Sequence, residues 1–518
     1  MPPGLRQCVH DVSPYLILLI AISTLGPLQF GFHLAELNAP QDVITCRKKS
    51  ISTRITSTLI SLTTSKSSTA ARTDLPDCIP MDNAAFAVVS SLFTIGGLVG
   101  ALAAGPTSSA KGRLLAMRIT SLFFILGSLI ETVASSIAVM SIGRMFSGVG
   151  AGAATVIVPL YISEIAPPKE RGFFGVMTQV SINVGILGTQ TLGYFFSYGS
   201  AWRWVLGAGI IVGAFQGVGL LILPESPAWL AANKSVTQAK RTLQRIRGDH
   251  FDIQEEIAAW RADGEVVIPE EEGLLNGADE ETLLARRDST TSKASGKAGT
   301  HLGFFEVARD PVTRPAIIAV VGIMFSQQLC GVNSIIMYSV SLLADLLPVD
   351  SALLTILISA INLITTVACS PLPDKLGRKT CLLLSIAGQG TSALCLAISI
   401  LSGVKILSAI AVLFFVAFFA VGLGPVPFMM ASELVSQEAV GAAQSWCLAA
   451  SYIATFLVAQ FFPIINQAMN ERFGGAGWVY FVFAALAVLC GLFVSTRVPE
   501  TKGKRDADEV WGRTRRLD

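Results

Sequence analysis

Charged residues are scarce in this chain. Lys, Arg, Asp and Glu make up 14% of its 518 residues, and 52% of the residues are hydrophobic. A soluble domain carries about 25% charged residues, so the composition excludes an ordinary water-soluble globule. The formal net charge of +2 gives no support to nucleic-acid binding.

Groups that could build a catalytic or metal centre are also sparse. The four histidines are scattered, and the sequence contains no nucleophile elbow and no phosphate-binding loop. We therefore predict neither an enzyme nor a resident metal or cofactor. A cleavable signal peptide is not evident either, because the apolar stretch 15–37 lacks a small-residue cleavage site and fits a retained first span.

Long apolar stretches dominate what is present. A membrane helix needs roughly 20 mostly apolar residues, and twelve stretches meet this need, which predicts an all-α integral membrane protein. The predicted spans are 14–37, 84–105, 115–138, 141–164, 173–196, 203–223, 315–345, 351–372, 380–402, 406–432, 441–466 and 477–497.

One short pattern occurs twice, in the same order. Arg113 after a glycine, Glu164 near the end of a span and Glu225 in "PESP" recur 265, 269 and 275 residues later, as Arg378, Glu433 and Glu500. A nearly constant offset indicates two copies of one unit in the same orientation, which is typical of transporters whose site lies between two lobes. The predicted domains are an N-terminal lobe (1–223), an interlobe linker (224–314), a C-terminal lobe (315–498) and a tail (499–518).

The short loops predict the orientation. Lysines and arginines concentrate in the even-numbered loops and in the C-terminal tail, so both termini and the linker are expected to be cytosolic. The first loop is also basic, but it is about 45 residues long, and long loops follow this rule less strictly. Linker residues up to about 262 read as amphipathic surface helices, and about 265–300 as a disordered segment.

Two cysteines differ from the other seven. Cys46 and Cys78 flank the first loop, which is rich in Ser and Thr, whereas most of the others lie in apolar spans. If this loop faces an oxidising compartment they could form a disulfide, and otherwise they are two free thiols. The sequence leaves both interpretations open.

Eight strings in fixed order carry a family resemblance. They are "LQFGFHLAELNAPQ", "GRMFSGVGAG", "VPLYISEIAPPKERG", "PESPAWL", "QQLCGVNSIIMYS", "DKLGRKT", "GPVPF" and "VPETKG". With them the chain resembles the sugar-porter branch of the major facilitator superfamily over nearly its whole length. The resemblance implies twelve helices in two pseudo-symmetric six-helix lobes, with a monosaccharide or related polyol bound near the bilayer midplane.

Polar residues within the spans are candidates for binding that ligand, because polar groups are costly in a bilayer. Side-chain amides both donate and accept, as sugar hydroxyls do. A break in the seventh span between Gln327 and Asn333 would aim both at one cavity. The alternative is that these amides only bridge helices. The substrate-binding candidates that the resemblance implies are Gln179, Gln327, Gln328, Asn333, Asn362 and Phe428.

The tenth span contains a predicted gate. Gly424, Pro425 and Pro427 interrupt it, since two prolines remove backbone donors and leave a flexible wall beside the cavity. Phe428 stands where glucose facilitators carry tryptophan, and Tyr452 where they carry a second one. The resemblance therefore leaves the substrate open.

A set of charges at the cytosolic ends matches family positions that form interhelical ion pairs. By the resemblance, these pairs latch the cytosolic ends and separate when the lobes rock. The alternative is that they only set topology on a solvated face. The predicted latch comprises Arg113, Glu164, Arg171, Glu225, Asp374, Arg378, Glu433 and Glu500.

Proton coupling depends on a third set. Proton-coupled sugar porters oppose an aspartate in the first span with an arginine in the fourth, which Arg144 matches, but His33 occupies the aspartate position. Glu36 lies about one helical turn further on. A rearranged set of His33, Glu36 and Arg144 could take up a proton when the pairing breaks, or Glu36 could merely pair locally. Facilitated and proton-coupled transport both remain open.

Two strings in the linker bear on location. "EEEGLL" (270–275) and "DEETLL" (279–284) each place an acid four residues before a dileucine, and resemble adaptor-recognised sorting signals for vacuoles and lysosomes. We therefore expect a sorting adaptor as a partner, besides membrane lipid and a possible proton co-substrate. The first-span string "FHLAELNAP" also resembles a fungal vacuolar-membrane branch of the sugar porters.

Three functions compete at this stage. A carrier of a hexose or related polyol is the main hypothesis. A carrier of quinate or another organic acid is a rival, although only Arg144 offers the extra cation that an acid would need. A non-transporting sugar sensor is the other, and the short tail of about 20 residues after Val498 disfavours it.

Overall fold

The computed structural model describes residues 13–48, 75–167, 170–248, 253–254, 256–257, 304–343, 351–436, 439–504 and 507–512. Helices and the turns between them make up almost all of this part. Each of the twelve predicted spans corresponds to one helix or to two consecutive helices, numbered here span 1 to span 12. In chain order they are Pro14–Ser23 with Leu25–Ala35, Asn83–Lys111, Arg113–Thr132, Ile137–Ile165, Arg171–Phe196, Trp202–Gly219, Arg314–Leu329 with Val332–Leu343, Ser351–Cys369, Arg378–Leu401, Lys405–Val421 with Val426–Glu433, Val440–Phe473 and Val479–Arg497.

Length and hydropathy support these assignments. In the described part of the chain, nine helices are long and apolar enough to cross a membrane, and the bent pair of span 7 makes a tenth. Spans 5 and 8 complete the twelve. Span 5 has 26 residues and span 8 has 19. At 1.5 Å per residue, these helices are about 39 and 28 Å long, close to the bilayer core of roughly 30 Å.

Small residues allow the helices of the N-terminal lobe to approach closely. Span 2 packs along span 4, where Gly97 and Gly152 face each other. A Cβ atom on Gly152 would collide with the backbone of Gly97. Small residues at helix contacts are typical of membrane proteins, since tight packing replaces the hydrophobic effect as the driving force between helices.

Two antiparallel seams join the lobes. Span 2 packs on span 11, and span 5 packs on span 8. In the first seam, Ser91 Oγ donates to Gln460 Oε1 at 2.9 Å. In the second, Ser359 Oγ donates to Gln190 Oε1 at 2.6 Å. Each seam therefore joins one helix from each lobe, and the region between the seams is enclosed by both lobes.

The loop after span 1 carries a disulfide. Cys46 and Cys78 are bonded, with their Cα atoms 5.3 Å apart, so of the two interpretations the structure has the bonded one. Trp202 and Arg203 hold the same loop, because the Trp202 indole N–H donates to the carbonyl of Asp77 and Arg203 donates to the carbonyl of Pro76.

The linker begins with the predicted amphipathic structure. Helices Pro227–Asn233 and Val236–Arg247 follow span 6. Arg247 is anchored at 2.6 Å to the carbonyl of Ile165, at the end of span 4. The two dileucine strings, at 270–284, and the end of the tail, 513–518, lie outside the described residues.

Candidate functional site

One cavity between the two lobes collects all six predicted substrate-binding residues. Its wall includes Gln179 of span 5, Gln327, Gln328 and Asn333 of span 7, Asn362 of span 8 and Phe428 of span 10. The five amide residues among them are buried. The cavity therefore places donors and acceptors from both lobes around one space, as a ligand with several hydroxyl groups requires.

Span 7 supplies one wall because its helix breaks. The helix ends at Leu329, restarts at Val332 and bends by 43° at the break. Gly331, at φ 95°, makes the turn between the two parts. The predicted break is thus observed, and Gln328 and Asn333 meet across it, where Asn333 Nδ2 donates to Gln328 Oε1 at 2.5 Å.

These amides connect span 7 to span 11. Gln328 Nε2 donates to Ser451 Oγ at 3.0 Å and to Gln327 Oε1 at 2.9 Å. Asn333 Nδ2 also donates to Thr455 Oγ1 at 3.1 Å. The five side chains form a chain of hydrogen bonds along one wall, which a ligand hydroxyl can join by exchanging one of these bonds for its own.

The opposite wall comes from spans 5 and 8. Gln179 Nε2 donates to Asn183 Oδ1 at 3.2 Å, and Asn183 Nδ2 donates to Thr366 Oγ1 at 2.8 Å. Asn362 donates to Asn183 at 3.4 Å, while its own Oδ1 is buried without a partner in the described part of the chain. A buried acceptor beside a cavity is available to a ligand donor.

The predicted gate is a real break in span 10. Its first helix ends at Val421 and its second begins at Val426, with Gly424 and Pro425 between them. Gln327 Nε2 donates to the freed carbonyl of Leu423 at 2.5 Å. Gln327 lines the cavity, but this donor is already engaged with the backbone of span 10.

Aromatic rings close the cavity on the side of spans 1, 2 and 11. Phe30 stacks on Phe93, with ring centroids 6.1 Å apart, and meets Tyr452 edge-on at 6.3 Å. Tyr452 and Thr155 approach across the lobe boundary, with their hydroxyl oxygens 3.4 Å apart. Apolar ring faces beside polar amides give the mixed lining that is typical of small-molecule sites.

The cavity is small in this conformation. It encloses about 60 Å³, whereas a second cavity encloses about 500 Å³. The second cavity is lined by Gln41, Arg47 and residues of spans 2, 7 and 11. Ligand pockets usually measure roughly 300–1,000 Å³. The central cavity must therefore widen to admit a ligand, and the larger cavity lies at the end of the molecule that carries the disulfide.

The three predicted proton-coupling residues meet in the core of the N-terminal lobe. Arg144 Nη1 donates to Glu36 Oε1 at 2.5 Å and to the carbonyl of His33 at 2.6 Å. His33 Nδ1 lies 3.0 Å from both carboxylate oxygens of Glu36. All three are at most 1% exposed. Glu36 thus forms a buried pair with Arg144, and not only a local contact on its own helix.

A fourth residue of this cluster was missed by the sequence reasoning. Glu131 of span 3 is buried, and its carboxylate, that of Glu36 and the imidazole of His33 approach within 4.8 Å of one another. Arg144 already supplies a positive charge here, which disfavours a metal ion. An acid inside an apolar span was the available signal. Asn183 was missed as well, although it lies one helical turn from Gln179.

The repeated glycine–arginine pairs lie at the same end of the two lobes, the end that the sequence predicts to be cytosolic. Gly112 and Gly377 adopt φ of 95° and 103°, which favours glycine. Each next residue is an arginine that pairs within its own lobe, Arg113 with Glu164 at 2.8 Å and Arg378 with Glu433 at 3.1 Å. Each pair joins two spans of the same lobe.

Two members of the predicted latch bind backbone N–H groups in this structure. Glu225 accepts from the backbone N–H groups of Arg113 and Leu114, and Glu500 accepts from those of Arg378 and Lys379. Both glutamates therefore cap the start of a helix, and neither pairs with a cationic side chain among the described residues. The first turn of a helix offers unsatisfied N–H groups and a positive dipole, which attract a carboxylate.

The remaining members of the predicted latch differ from one another. Asp374 contacts Arg378 at 2.9 Å, but it is four residues away in the chain and 59% exposed, so this contact does not join two spans. The side chain of Arg171 lies outside the described residues. Because the two interhelical pairs each join spans of one lobe, they stabilise the lobes rather than bridge them.

Comparison with known proteins identifies related chains. Residues 19–508 match the family model described as "Sugar (and other) transporter". The probable metabolite transport protein YBR241C of Saccharomyces cerevisiae is 32% identical over 510 residues, which cover 98% of this chain and 97% of that protein. Vacuolar protein sorting-associated protein 73 of the same yeast is 30% identical, and the match covers 96% of both chains.

The fold has solved counterparts. A structure described as the partially occluded inward open conformation of the xylose transporter XylE from E. coli superposes with a TM-score of 0.71. The match covers 95% of this chain and 100% of that chain at 21% sequence identity. At this identity the likeness supports the arrangement of helices, a twelve-helix membrane fold in two lobes.

Proposed function

This chain belongs to the sugar transporter family, and we propose that it carries a monosaccharide or a related polyol across a membrane by alternating access. The observation that carries the proposal is the central cavity, where amide side chains from both lobes surround one space. A solute bound there contacts both lobes, so its binding can couple to their movement.

The proposed ligand contacts follow from the free hydrogen-bonding capacity of the cavity. The Oδ1 atom of Asn362 has no partner among the described residues and can accept from a sugar hydroxyl. Gln328 and Asn333 lie on the facing wall and can exchange their mutual bond for bonds to the sugar. Gln327 would act mainly by holding the broken span 10 beside the ligand.

Alternating access fits the contacts between the lobes. The seams are held by a few side-chain hydrogen bonds, such as Ser91 to Gln460 and Asn183 to Thr366. Such bonds contribute only about 0.5–1.5 kcal/mol each, so rocking can break and re-form them. The ion pairs within each lobe, Arg113 with Glu164 and Arg378 with Glu433, would keep each lobe rigid as it moves.

The proposal also includes coupling of sugar transport to the movement of a proton. Glu36 is buried against Arg144, and a buried carboxylate is stable as an ion only while its cationic partner remains in place. When this pair within the N-terminal lobe loosens during the transport cycle, Glu36 would take up a proton from the side that is open. Inward movement of sugar and proton together would then follow the proton gradient.

The proposed location is the membrane of a vacuole or a related endolysosomal compartment, with both termini in the cytosol. The two acidic dileucine strings at 270–284 support it, and one relative is named for vacuolar protein sorting. A disulfide in the first loop fits a loop that faces an oxidising compartment. Alanine in place of both leucine pairs should redirect a fluorescent fusion away from the vacuolar membrane, and unchanged targeting would contradict the sorting role.

The decisive experiment is uptake of radiolabelled glucose and xylose into proteoliposomes of the purified protein, with and without an imposed proton gradient. Accumulation above equilibrium would support coupled transport, and uptake that only equilibrates would support facilitated transport. Folded protein that takes up neither sugar and exchanges neither would contradict the proposal.

One substitution separates coupling from transport. Glu36→Gln removes the charge but keeps the shape of the side chain, so it should abolish gradient-driven accumulation while sugar exchange across the membrane continues. Glu471→Gln, at an exposed position at the end of span 11, is the matched control and should change neither activity. Accumulation by the Glu36→Gln protein would refute the role of Glu36.

A further inference from the structure

The carboxyl group of Glu131 is only half satisfied. Ser147 Oγ donates to its Oε1 atom at 2.7 Å. Its Oε2 atom is buried and has no hydrogen-bond partner in the part of the chain that the structure describes. A buried carboxylate oxygen without a donor is costly, so this atom points to a ligand that supplies a hydrogen.

The carboxyl group of Glu36 lies beside it. One carboxyl oxygen of Glu131, one of Glu36 and a ring nitrogen of His33 all lie within 4.8 Å of one another. Two carboxylates are acceptors only and cannot bond to each other while both are charged. One proton between them would create a charge-assisted O–H···O bond and give the unpartnered oxygen of Glu131 its partner.

The charges around the cluster also call for one proton. Arg144 can neutralise only one of the two carboxylates, and a second unpaired negative charge buried in the lobe would be costly. His33 and Tyr338 add no fixed charge, and Arg203 donates to the backbone carbonyls of Thr132, Ala134 and Pro76. The titratable groups of the cluster and of the spans packed on it are His33 of span 1, Glu36 at its end, Glu131 of span 3, Arg144 of span 4, Arg203 of span 6 and Tyr338 of span 7.

The two carboxyl groups are not equivalent. Glu36 receives the guanidinium N–H of Arg144 at 2.5 Å and lies 3.0 Å from the imidazole of His33. Among the described residues, Glu131 receives one donor, the hydroxyl of Ser147. Cationic and N–H donors favour the charged form of Glu36, while a single hydroxyl does much less for Glu131. The shared proton therefore belongs mainly on Glu131.

We propose that Glu131 is the second carboxyl group of a proton site in the N-terminal lobe, and that it shares one proton with Glu36. The proton forms an O–H bond on Glu131 and a hydrogen bond to Glu36. When the O–H bond breaks, Glu131 becomes a carboxylate and the proton is released to the opposite side of the membrane. This rests on the proposed function in one respect, that the shared proton is the one transported with the sugar.

Infrared spectroscopy tests the shared proton directly, without any transport. Spectra of the purified protein near neutral pH should contain the C=O stretching band of a buried, protonated carboxyl group. Glu131→Gln should remove the band, Glu131→Asp should keep it at a shifted frequency, and the exposed control Glu471→Gln should leave it unchanged. A band of full strength in the Glu131→Gln protein would overturn the proposal.

Transport provides a second readout that a merely structural role would not change. Glu131→Gln removes the carboxyl group that carries the O–H bond, so gradient-driven accumulation should be lost while sugar exchange across the membrane continues. Glu131→Asp keeps a carboxyl group and should retain accumulation with a shifted pH profile. Accumulation at the wild-type level by the Glu131→Gln protein would overturn the role of Glu131 in coupling.

The two proposals can fail separately. A wild-type protein that carries the infrared band but lacks gradient-driven uptake would support the shared proton and refute its transport. If the wild-type protein shows gradient-driven uptake but Glu131→Gln leaves the infrared band intact, coupling would be supported and the shared proton on Glu131 would be refuted. If Glu131→Gln does not fold, Ser147→Ala keeps both carboxyl groups but removes one donor, so the band should shift, and an unshifted band would overturn the proposal.

Discussion

Replacement of Gln328 by alanine should weaken sugar uptake by a calculable amount. Its amide donates to Gln327 and Ser451 and accepts from Asn333, all within the cavity. In the complex the same amide can offer one donor and one acceptor to the sugar. A net hydrogen bond contributes about 0.5–1.5 kcal/mol, so the loss of two costs about 1–3 kcal/mol. That corresponds to a rise in KM of roughly 5- to 150-fold.

The assay is the initial rate of sugar uptake into proteoliposomes over a range of sugar concentrations. Size-exclusion profiles and thermal unfolding in detergent would confirm that the variant is folded. Gln389→Leu is the matched control, because Gln389 is also a buried glutamine of the C-terminal lobe but lies outside the cavity lining. Both polar atoms of Gln389 lack partners among the described residues, so leucine should leave KM unchanged and stability equal or higher.

Two results would refute this reasoning. A KM within about twofold of wild type for Gln328→Ala would mean that the central cavity is not where the sugar binds. An equal rise in KM for Gln389→Leu would mean that the effect spreads through the lobe instead of arising at the cavity. Asn333→Ala provides a second probe of the same wall and should also impair uptake, while the protein remains folded.

Three further predictions concern stability and are measured by thermal or denaturant unfolding in detergent. Cys46→Ser opens a loop whose ends are 32 residues apart, and the loss of that constraint should cost about 3–4 kcal/mol, whereas no loss would mean that the thiols are free in solution. Arg113→Ala should cost about 1.5–3 kcal/mol through its bond to Glu164, and Glu164→Ala added to it should cost little more. Gly152→Ala should cost about 1–3 kcal/mol by overpacking spans 2 and 4, while Gly175→Ala, which meets open space, should be close to neutral.

Much of the fold could be predicted because its signals are local. The length and hydropathy of each span are properties of consecutive residues, and so is the effect of Gly331 or of Pro425 and Pro427 on a helix. The duplicated glycine–arginine pairs also lie within a few residues of each other. These features depend on backbone geometry that the neighbouring residues determine.

The candidate site was predicted less completely, because contacts between helices decide how each amide is used. Gln327 and Gln328 are adjacent in the chain, yet one donates to the broken backbone of span 10 and the other to Ser451 of span 11. Asn183 faces Thr366, which is 183 residues away in the chain. No periodicity reveals such partners, since a helix surrounded by lipid and other helices is apolar on most faces.

The ionic contacts show the same division. The sequence alone determined that Glu225 and Glu500 occupy equivalent positions in two repeated units, but only the packed lobes bring them to helix N-termini, where they cap backbone N–H groups. The sequence also places an acid, Glu131, inside an apolar span, where an ionisable group is costly unless it has a partner. That Glu131 meets Glu36 and Arg144 was decided by the tertiary structure, because spans 1, 3 and 4 converge only in the folded lobe. Burial there removes water as an alternative partner, so proximity in space, and not in the chain, decides which charges interact.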